Sequence, residues 1–331
     1  MKALVFEKQG LENLKLKEVE RPRVGPLDVL VKVERAGVNP IDHRAVTAMN
    51  VTPMPHIPGA EFGGVVEEIG ERVGGLKVND RVVIYNRVFD GTCDFCVSGR
   101  EMICRTGGII GVVTNGGFAE YAVVPSKNVF KIPEEISWEA AASIPVAALT
   151  AYHAMKEADP RPDECVVVFG ASGNTGMFAV QFAKETGAKV VAVSRKEWVK
   201  DFGADYVVNV NEVTEKVKTL TDGKMADVVL NSLGSELWEK SLALLGAGGR
   251  YVTFGALTGG DVKLSIYWLY GQQIRLQGTT GGSRKELSEV IGASKNLKPR
   301  IWKIFNLDEG RNALESLSSS NRDGRILIKA S

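Results

Sequence analysis

The stretch at residues 164–196, ECVVVFGASGNTGMFAVQFAKETGAKVVAVSRK, limits the possible folds of this chain more than any other. Its apolar run at 166–169 leads directly into Gly170, Gly173 and Gly176, which is typical of a buried parallel strand that ends in a tight turn. Apolar residues at helical spacing follow, and a second apolar run begins at Val190. The pattern predicts a strand, a glycine turn, a helix and a second strand. In that arrangement a diphosphate can approach backbone N–H groups at the helix N-terminus.

The spacing of these glycines, GxxGxxG, is looser than the GxGxxG fingerprint of dinucleotide-binding proteins. One alternative is a turn that needs small residues only for packing. The position of the motif between a strand and a helix favours nucleotide binding over that alternative. The predicted cofactor-binding residues of the turn are Ser172, Gly173, Asn174, Thr175 and Gly176.

The end of the second predicted strand indicates which nucleotide is bound. An Asp or Glu at this place usually holds the free 2′-hydroxyl of NAD, but this chain has Ser194, Arg195 and Lys196. A hydroxyl followed by two cations suits a 2′-phosphate, which needs donors and positive charge. The sequence therefore predicts NADP(H), with a solvated basic loop as the alternative.

The composition excludes several other classes of protein. The chain has 331 residues, of which 44% are hydrophobic and 24% are charged, and a formal net charge of +1. This balance gives no electrostatic reason to expect nucleic acid or an anionic membrane as a partner. No apolar stretch approaches the length of a membrane span, and MKALVFEKQG lacks the apolar core of a signal peptide. We therefore expect a cytoplasmic protein of two domains.

The two parts of the chain differ in pattern. Up to about residue 126, short runs rich in valine and isoleucine alternate with turn sequences, which predicts a mostly β region. Its predicted strands are at 2–6, 14–19, 29–35, 64–69, 81–85 and 119–124. From about residue 127, apolar runs recur every 16 to 25 residues with helical patterns between them, which predicts a doubly wound α/β sheet of six strands. These runs are near Val166, Val190, Tyr206, Val228, Tyr251 and Ile274.

Ligand-binding positions are expected at the carboxyl ends of these parallel strands. Gly234, Gly255 and Gly278 lie just beyond three of them, and Asn231 ends the run DVVLN. Asn231 and Gly255 complete the predicted cofactor site. After Gly281 the chain is polar and helical, and a final apolar run at 325–328 is expected to return to the first domain.

Together these features resemble the medium-chain dehydrogenase/reductase superfamily, which contains zinc alcohol dehydrogenases and zinc-free quinone oxidoreductases. The resemblance rests on GGVVEEIG, the cysteine segment, GGFAEYAVVP, the Thr150-Ala-Tyr segment, the glycine turn and DVVLNSLG, and it spans essentially the whole chain. It implies a GroES-like, mostly β catalytic domain at 1–126 and 282–331. A Rossmann dinucleotide-binding domain would then occupy 127–281.

The segment from Asp90 to Cys104 carries a candidate structural metal site, the cysteine lobe. The family's lobe has four cysteines spaced C-x2-C-x2-C-x7-C, and this chain has Asp90, Cys93, Cys96 and Cys104 at those positions. A carboxylate can complete a tetrahedral zinc site, and four protein ligands leave no open position for chemistry. The prediction is one structural zinc ion per chain, with three reduced cysteines in an empty lobe as the alternative.

At the positions of the family's catalytic zinc ligands, this chain has different residues from the zinc enzymes. By resemblance they are Asn39, Ala60 and Val146, none of which has a strong metal-binding side chain. The positions of the proton relay are Ile41 and Arg44. Glu61 remains, but a lone carboxylate does not make a catalytic zinc site.

Hydride transfer without zinc favours acceptors that delocalise negative charge, because zinc otherwise supplies several kcal/mol of stabilisation. The sequence therefore predicts NADPH-dependent reduction of small apolar quinones or conjugated or aromatic ketones. Asn39 is the candidate hydrogen-bond donor, with a turn cap as the alternative role. The resemblance places Thr150 against the nicotinamide, and His43 and Arg44 are further candidate donors. Asp42 is expected to hydrogen-bond backbone, because nothing near it in sequence indicates a raised pKa.

Two other functions remain open from the sequence. One is an enoyl or alkenal double-bond reductase of the same superfamily, and the other is an NADPH-binding sensor or stabilising protein without turnover. The aromatic run at 266–270, IYWLY, predicts a subunit contact and therefore a homodimer or homotetramer.

Overall fold

The computed structural model describes residues 1–330, which fall into two compact units. Unit 1 is Met1–Val146 together with the segment from Ser283 onward, and unit 2 is Ala147–Gly282. Unit 2 is therefore inserted within the sequence of unit 1.

The strands in chain order are β1 (Lys2–Val5), β2 (Lys15–Glu18), β3 (Asp28–Gly37), β4 (Glu61–Ile69), β5 (Arg81–Ile84), β6 (Arg87–Val88), β7 (Gly108–Ile109), β8 (Tyr121–Pro125), β9 (Val129–Lys131), β10 (Cys165–Phe169), β11 (Lys189–Val193), β12 (Tyr206–Val208), β13 (Ala226–Asn231), β14 (Leu245–Thr253), β15 (Arg275–Gly278), β16 (Ile301–Asn306) and β17 (Arg325–Lys329). The α-helices are α1 (Pro40–Thr47), α2 (Asp94–Val97), α3 (Trp138–Ala141), α4 (Leu149–Ala158), α5 (Gly176–Glu185), α6 (Val213–Leu220), α7 (Trp238–Leu242), α8 (Ile266–Gly271), α9 (Arg284–Ala293) and α10 (Gly310–Glu315). A π-helical turn spans Ile144–Ala148.

Unit 1 is built on a mostly antiparallel sheet with the order β16-β17-β3-β4-β5-β9, and β8 also pairs with β3. Each of the six strands predicted before residue 126 overlaps an observed strand. The final strand β17 pairs antiparallel with β3, with Leu327 opposite Gly37, so the chain returns to its first sheet as predicted. Alternating apolar residues of these strands form the core of unit 1 together with Phe118, and they include Val29, Val31, Val33, Phe62, Val82, Ile84, Ile326 and Ile328.

The predicted domain boundary at 126/127 differs from the division in the structure at 146/147. The segment 127–146 belongs to unit 1 because β9 pairs with β5 and extends its sheet. The three residues of β9 are too few to give a strand pattern in the sequence.

Unit 2 is a parallel sheet with the order β12-β11-β10-β13-β14-β15, which is the order of a doubly wound dinucleotide-binding fold. All six predicted strands are present, and the predicted fold class is confirmed. Every residue of the central strand β10 is buried, as expected for a parallel strand covered on both faces. The sequence order reverses at β10, and the glycine turn follows directly from that strand.

Candidate active site and metal site

The glycine turn, residues 170–176, links β10 to α5 in unit 2. Gly170 has φ +65°, and its carbonyl oxygen accepts a hydrogen bond from the Gly173 N–H at 2.8 Å. A Cβ atom at Gly176 would lie 2.1 Å from the Gly170 oxygen, so only glycine fits at the first position of the helix. The close turn brings the N-terminus of α5 to the carboxyl edge of the sheet, where a diphosphate would bind. Ser172 and Thr175 are half-buried in this turn, and Asn174 is buried.

A cavity of about 610 Å³ opens at the carboxyl ends of β13, β14 and β15 in unit 2. Gly234, Gly255 and Gly278, the glycines that the sequence placed beyond three strands, all line it. A Cβ atom at Gly255 would lie 2.5 Å from the Ser232 oxygen, so the absence of a side chain there keeps the loop close to β13. The volume is in the range of pockets for small ligands and cofactors.

Asn231 also lines this cavity, but its amide is engaged within unit 2. Its Nδ2 donates to the Tyr251 hydroxyl at 2.8 Å and to Ser241 at 3.2 Å, and its Oδ1 accepts from the Leu233 N–H at 2.8 Å. Asn231 therefore holds the loop after β13 in place.

The Ser194-Arg195-Lys196 segment follows β11. The Ser194 hydroxyl accepts a hydrogen bond from the backbone N–H of Lys196 at 3.0 Å, which closes a tight turn. Arg195 is exposed, and the other two residues are half-buried. The turn presents a hydroxyl and an exposed cation beyond the strand, the kinds of group that a 2′-phosphate would need.

The structure brings the four residues of the cysteine lobe together in unit 1. One ligand atom from each of Asp90, Cys93, Cys96 and Cys104 lies within 4.8 Å of the other three. The Sγ atoms of Cys93 and Cys104 are 3.9 Å apart. Tetrahedral coordination with Zn–S bonds of about 2.3 Å places ligand sulfurs about 3.8 Å apart, so this spacing fits a zinc ion.

Asp90 is oriented for such a site. Its Oδ1 accepts N–H bonds from Cys93 and Thr92, and its Oδ2 lies 3.2 Å from the Cys104 sulfur. The backbone hydrogen bonds, led by that from Cys93, hold the pKa of the Asp90 carboxyl well below its usual range. The carboxylate is therefore ionised and can take the place of the fourth cysteine.

A second polar cluster in unit 1 surrounds Glu61, at the start of β4. Its Oε2 accepts a hydrogen bond from the Asn39 side chain at 2.8 Å and from Arg325 Nη2 at 2.5 Å, and its Oε1 accepts from the Val146 N–H at 2.7 Å. Glu61 and Arg325 are both fully buried. We call Asn39, Glu61, Val146 and Arg325 the Glu61 network. It includes two of the three positions that resemblance assigns to catalytic-zinc ligands, and Ala60, the third, is adjacent in sequence.

Two family models match the chain. The alcohol dehydrogenase GroES-like domain covers residues 25–134, and the zinc-binding dehydrogenase domain covers residues 175–296. An NAD-dependent alcohol dehydrogenase of Sulfolobus acidocaldarius is 34% identical over 350 residues, which cover 99% of each chain. The chain belongs to the medium-chain dehydrogenase/reductase superfamily.

Two further proteins of the superfamily are similar to this chain over nearly its whole length. A solved cobalt- and zinc-bound thermostable alcohol dehydrogenase from Pyrobaculum aerophilum is 44% identical, with a TM-score of 0.94 over 99% of both chains. An acryloyl-coenzyme A reductase of Sulfurisphaera tokodaii is 30% identical over 345 residues, 99% of this chain and 100% of the relative. This member of the superfamily is therefore an oxidoreductase of the alcohol dehydrogenase type.

Asn39 caps helix α1 in this dehydrogenase/reductase. Its Nδ2 donates to Glu61 and, more weakly at 3.4 Å, to the Gly37 oxygen, and only 3% of the residue is exposed. Because both acceptors belong to the protein, this geometry favours a structural role of the Asn39 side chain over donation to a substrate oxygen.

Asp42, on the first turn of α1, is buried beside the Glu61 network. Its two oxygens accept N–H bonds from Asn39 at 2.8 Å and from Ala60 at 2.7 Å, so it bonds backbone as expected. The assumption of an ordinary pKa is wrong, because burial raises the pKa of Asp42 to about 7. The negative charge of Glu61 adds to this shift, whereas the two N–H bonds and Arg325 oppose it.

The remaining catalytic candidates lie on two helices. Thr150 is the second residue of α4 and is half-buried. His43 is half-buried on α1, and Arg44 beside it is exposed. Of these candidates, His43 and Arg44 have side chains accessible to solvent in unit 1.

Sequence reasoning missed Arg325 as a site residue. It lies 264 positions from Glu61, and the run RILIK indicates only a strand. A signal was available in the residue itself, because an arginine at the start of an otherwise apolar strand needs a buried partner. No helix among residues 1–330 is long and apolar enough to span a membrane.

Proposed function

We propose that this protein transfers hydride from NADPH to quinones and to conjugated or aromatic ketones, without a catalytic metal. The observation that carries the proposal is the Glu61 network. Glu61 directly follows Ala60, one of the three zinc-ligand positions, and its oxygens already accept bonds from Arg325, Asn39 and Val146. The neighbouring side chains at those positions are an amide and two aliphatic groups, which do not make a tetrahedral zinc site.

The chemical consequence concerns the acceptor. A simple ketone becomes a localised alkoxide after hydride addition and needs strong electrostatic stabilisation. A quinone or an aromatic ketone spreads the developing charge over its own π-system and needs less. The bound NADPH would supply the hydride, Thr150 would contact the nicotinamide, and His43, Arg44 and solvent are the proposed donors of hydrogen bonds and of the proton.

The test is steady-state NADPH oxidation against quinones, conjugated enones, aromatic ketones and simple aldehydes. We expect quinones and aromatic ketones to be turned over at least about tenfold faster than simple aldehydes. Rapid oxidation of ethanol-sized alcohols with NAD would contradict the proposal. NADPH binding without oxidation by any acceptor would indicate a sensor or stabilising protein instead.

A second candidate is reduction of a conjugated carbon–carbon double bond. It is favoured by the likeness to the acryloyl-coenzyme A reductase, at 30% identity over 99% of this chain. The product of a conjugated enone separates the two reactions, because carbonyl reduction gives an allylic alcohol and double-bond reduction gives a saturated ketone.

The proposed preference for NADPH rests on Ser194, Arg195 and Lys196, although the relative from Sulfolobus acidocaldarius is named NAD-dependent. We expect Arg195→Ala to weaken NADPH binding about tenfold and to leave NADH binding unchanged, because a charge-assisted hydrogen bond contributes about 1.5–3 kcal/mol. Lys200→Ala is the matched control, since Lys200 is an exposed cation that pairs with Glu197 at 3.2 Å. Equal dissociation constants of the wild type for both cofactors would contradict the preference.

The proposed assembly is a homodimer or homotetramer formed through α8. Ile266, Tyr267 and Tyr270 are 66%, 77% and 62% exposed, which is unusual for neighbouring large apolar residues. The adjacent strand β15 is at the edge of its sheet, with one side open for pairing. Sedimentation analysis of wild type and Tyr267→Glu tests this, and a monomeric wild type would contradict it.

A further inference from the structure

The segment 255–263 follows β14 in unit 2, and we call it the wall segment. All nine of its residues are exposed, and none of them belongs to a helix or a strand. Five of them nevertheless line the cavity at the carboxyl ends of β13, β14 and β15, namely Gly255, Ala256, Gly259, Gly260 and Val262. The wall segment therefore forms one side of this cavity without a buried residue of its own.

Thr258 attaches the wall segment to the chain that follows β13. Its backbone N–H donates to the Leu233 oxygen at 2.7 Å, and its hydroxyl donates to the same oxygen at 2.9 Å. The hydroxyl oxygen also accepts the Glu236 N–H at 3.2 Å, and the Thr258 carbonyl accepts from the Ser235 hydroxyl at 3.1 Å. Thr258 thus makes four hydrogen bonds between the two segments.

The backbones of the two segments also lie very close together. The Ser235 N–H donates to the Gly259 oxygen at 3.0 Å. A Cβ atom at Gly259, where φ is +128°, would lie 2.4 Å from Ser235 Oγ, and one at Gly234 would lie 2.4 Å from the Gly259 oxygen. The contact therefore needs glycine at both positions. We call the contacts of residues 233–236 with residues 258–259 the Thr258 clasp.

The other end of the wall segment is attached through Trp238. Its indole Nε1 donates to the Lys263 oxygen at 2.9 Å, and its ring packs edge-to-face on Tyr251 with the ring centres 4.9 Å apart. Trp238 and Tyr251 both line the cavity. The Thr258 clasp contributes five hydrogen bonds and Trp238 one, so loss of the Thr258 hydroxyl weakens the stronger of the two attachments.

We propose that Thr258 is a positioning residue for the cofactor: it keeps the wall segment closed against the cavity, and a dinucleotide bound there holds the clasp closed in return. The inference rests on the proposed function, because that function assigns the cofactor to this cavity. A segment without buried residues opens locally in a small fraction of molecules. A ligand that binds only the closed form lowers this fraction as its concentration rises above its dissociation constant.

The experiment measures hydrogen exchange of the Ser235 amide by NMR in wild type and Thr258→Val. This amide donates within the clasp, so its exchange reports opening of the clasp. Valine has the shape of threonine without the hydroxyl, and we expect about tenfold faster exchange in the free protein because two side-chain bonds are lost. In the wild type, NADPH at ten times its dissociation constant should slow exchange about tenfold.

A second readout is the rate at which NADPH dissociates, measured by stopped-flow fluorescence. We expect dissociation to be about tenfold faster from Thr258→Val than from wild type, because the cofactor leaves from the open form. Thr219→Val is the matched control, since Thr219 is exposed on α6 and its hydroxyl donates to the Glu215 oxygen at 2.8 Å. The control should leave both the Ser235 exchange rate and the dissociation rate unchanged.

Gly259→Ala opens the clasp by a different route, because its Cβ atom would push the Ser235 side chain away. We expect exchange of the Ser235 amide to be at least as fast in this variant as in Thr258→Val. Wild-type exchange rates in both variants, or an equal acceleration in Thr219→Val, would overturn the proposal.

Failure of the inference and failure of the proposed function give different results. If NADPH binds but leaves the Ser235 exchange rate unchanged, the role of Thr258 is wrong and the proposed function stands. If NADH binds in place of NADPH, the same slowing of exchange is expected with NADH. If neither cofactor binds, the proposed function fails and the role of Thr258 fails with it.

Discussion

The cysteine lobe and the Glu61 network use their negatively charged groups in opposite ways. In the lobe, four potential ligand atoms face one another within 4.8 Å, and Asp90 is exposed. In the Glu61 network, the carboxylate is fully buried and bonded to protein donors, including the cation Arg325. The first arrangement would be stabilised by a bound metal ion, whereas the charge of Glu61 in the second is already compensated by Arg325.

On the proposed absence of a catalytic zinc ion, both the missing ligands and the protein cation beside the remaining carboxylate would disfavour metal binding. Asn39, Ala60 and Val146 cannot complete a zinc site, and the remaining carboxylate has a protein cation beside it. Arg325 supplies one positive charge where a zinc ion would supply two.

The largest expected effect is the gain of a metal site. Asn39→Cys, Ala60→His and Val146→Cys together restore three ligands, and at about 3 kcal/mol for each ligand we expect a second zinc ion with a dissociation constant near about 1 µM. Metal analysis should change from about one to about two zinc ions per chain. The control places serine at the same three positions. A triple variant with no second zinc would show that these positions do not share one site.

The second prediction concerns Asp42 beside the Glu61 network. Burial raises the pKa of Asp42 to about 7 in the folded state, well above its ordinary value, so the folded protein holds the proton more tightly than the unfolded chain. The contribution of Asp42 to stability should therefore fall by roughly 4 kcal/mol as pH rises from about 4 to about 7, and stay constant above that.

The measurement is urea unfolding of wild type and Asp42→Asn across this range. The variant loses one acceptor for a backbone N–H at every pH, so it should be less stable than the wild type at low pH. The difference in unfolding free energy between the two proteins should narrow as pH rises, because only the wild type loses the contribution of the Asp42 proton. A pH-independent difference between the two proteins would show that Asp42 keeps an ordinary pKa.

The third prediction tests the cysteine lobe. Structural zinc contributes about 10–16 kcal/mol over four ligands, so removal of one ligand by Cys104→Ala should weaken zinc binding by roughly a hundredfold. Competition with a chelator gives the affinity. Cys165→Ala is the control, because Cys165 is buried in β10 and lies outside the lobe. Unchanged zinc affinity in Cys104→Ala would mean that the lobe does not hold the metal.

The smallest expected effect is at Gly37, whose backbone contacts the Glu61–Arg325 pair. A Cβ atom there would lie 2.4 Å from Glu61 Oε2 and 2.6 Å from Arg325 Nη2. We expect Gly37→Ala to destabilise the protein by about 2 kcal/mol, because buried groups must move apart. Gly74→Ala is the control, since nothing lies within 4 Å of a Cβ at that position. Equal unfolding free energies for the two variants would show that the pair has room to shift.

Much of the fold could be predicted because its signals are local. The run at 166–169 and the glycines after it define β10 and its turn by themselves, and the six apolar runs give all strands of unit 2. The short strands β6, β7 and β9 were missed, since two or three residues show no periodicity. The longer strand β16 was also missed, because the chain after Gly281 was predicted to be polar and helical up to its final strand. The predicted domain boundary at 126/127 lies twenty residues before the observed division at 146/147, because β9 was not recognised as a strand of unit 1.

The site was predicted less completely, because its interactions are between distant residues. The spacing of Cys93, Cys96 and Cys104 is local and indicates a metal lobe. The pair of Glu61 and Arg325 spans 264 positions, and the raised pKa of Asp42 results from burial. Neither property is present in a short segment of sequence.

The return of β17 to β3 has a consequence for the order of events during synthesis. Leu327 pairs with Gly37 across nearly the whole chain, while unit 2 contains all of its own strands within 147–282. On the ribosome, the inserted unit emerges complete before the outer one has received its last two strands. The first sheet of unit 1 can therefore be completed only after the C-terminal segment has been translated. A nascent chain halted before Arg325 contains Glu61 without the arginine that pairs with it.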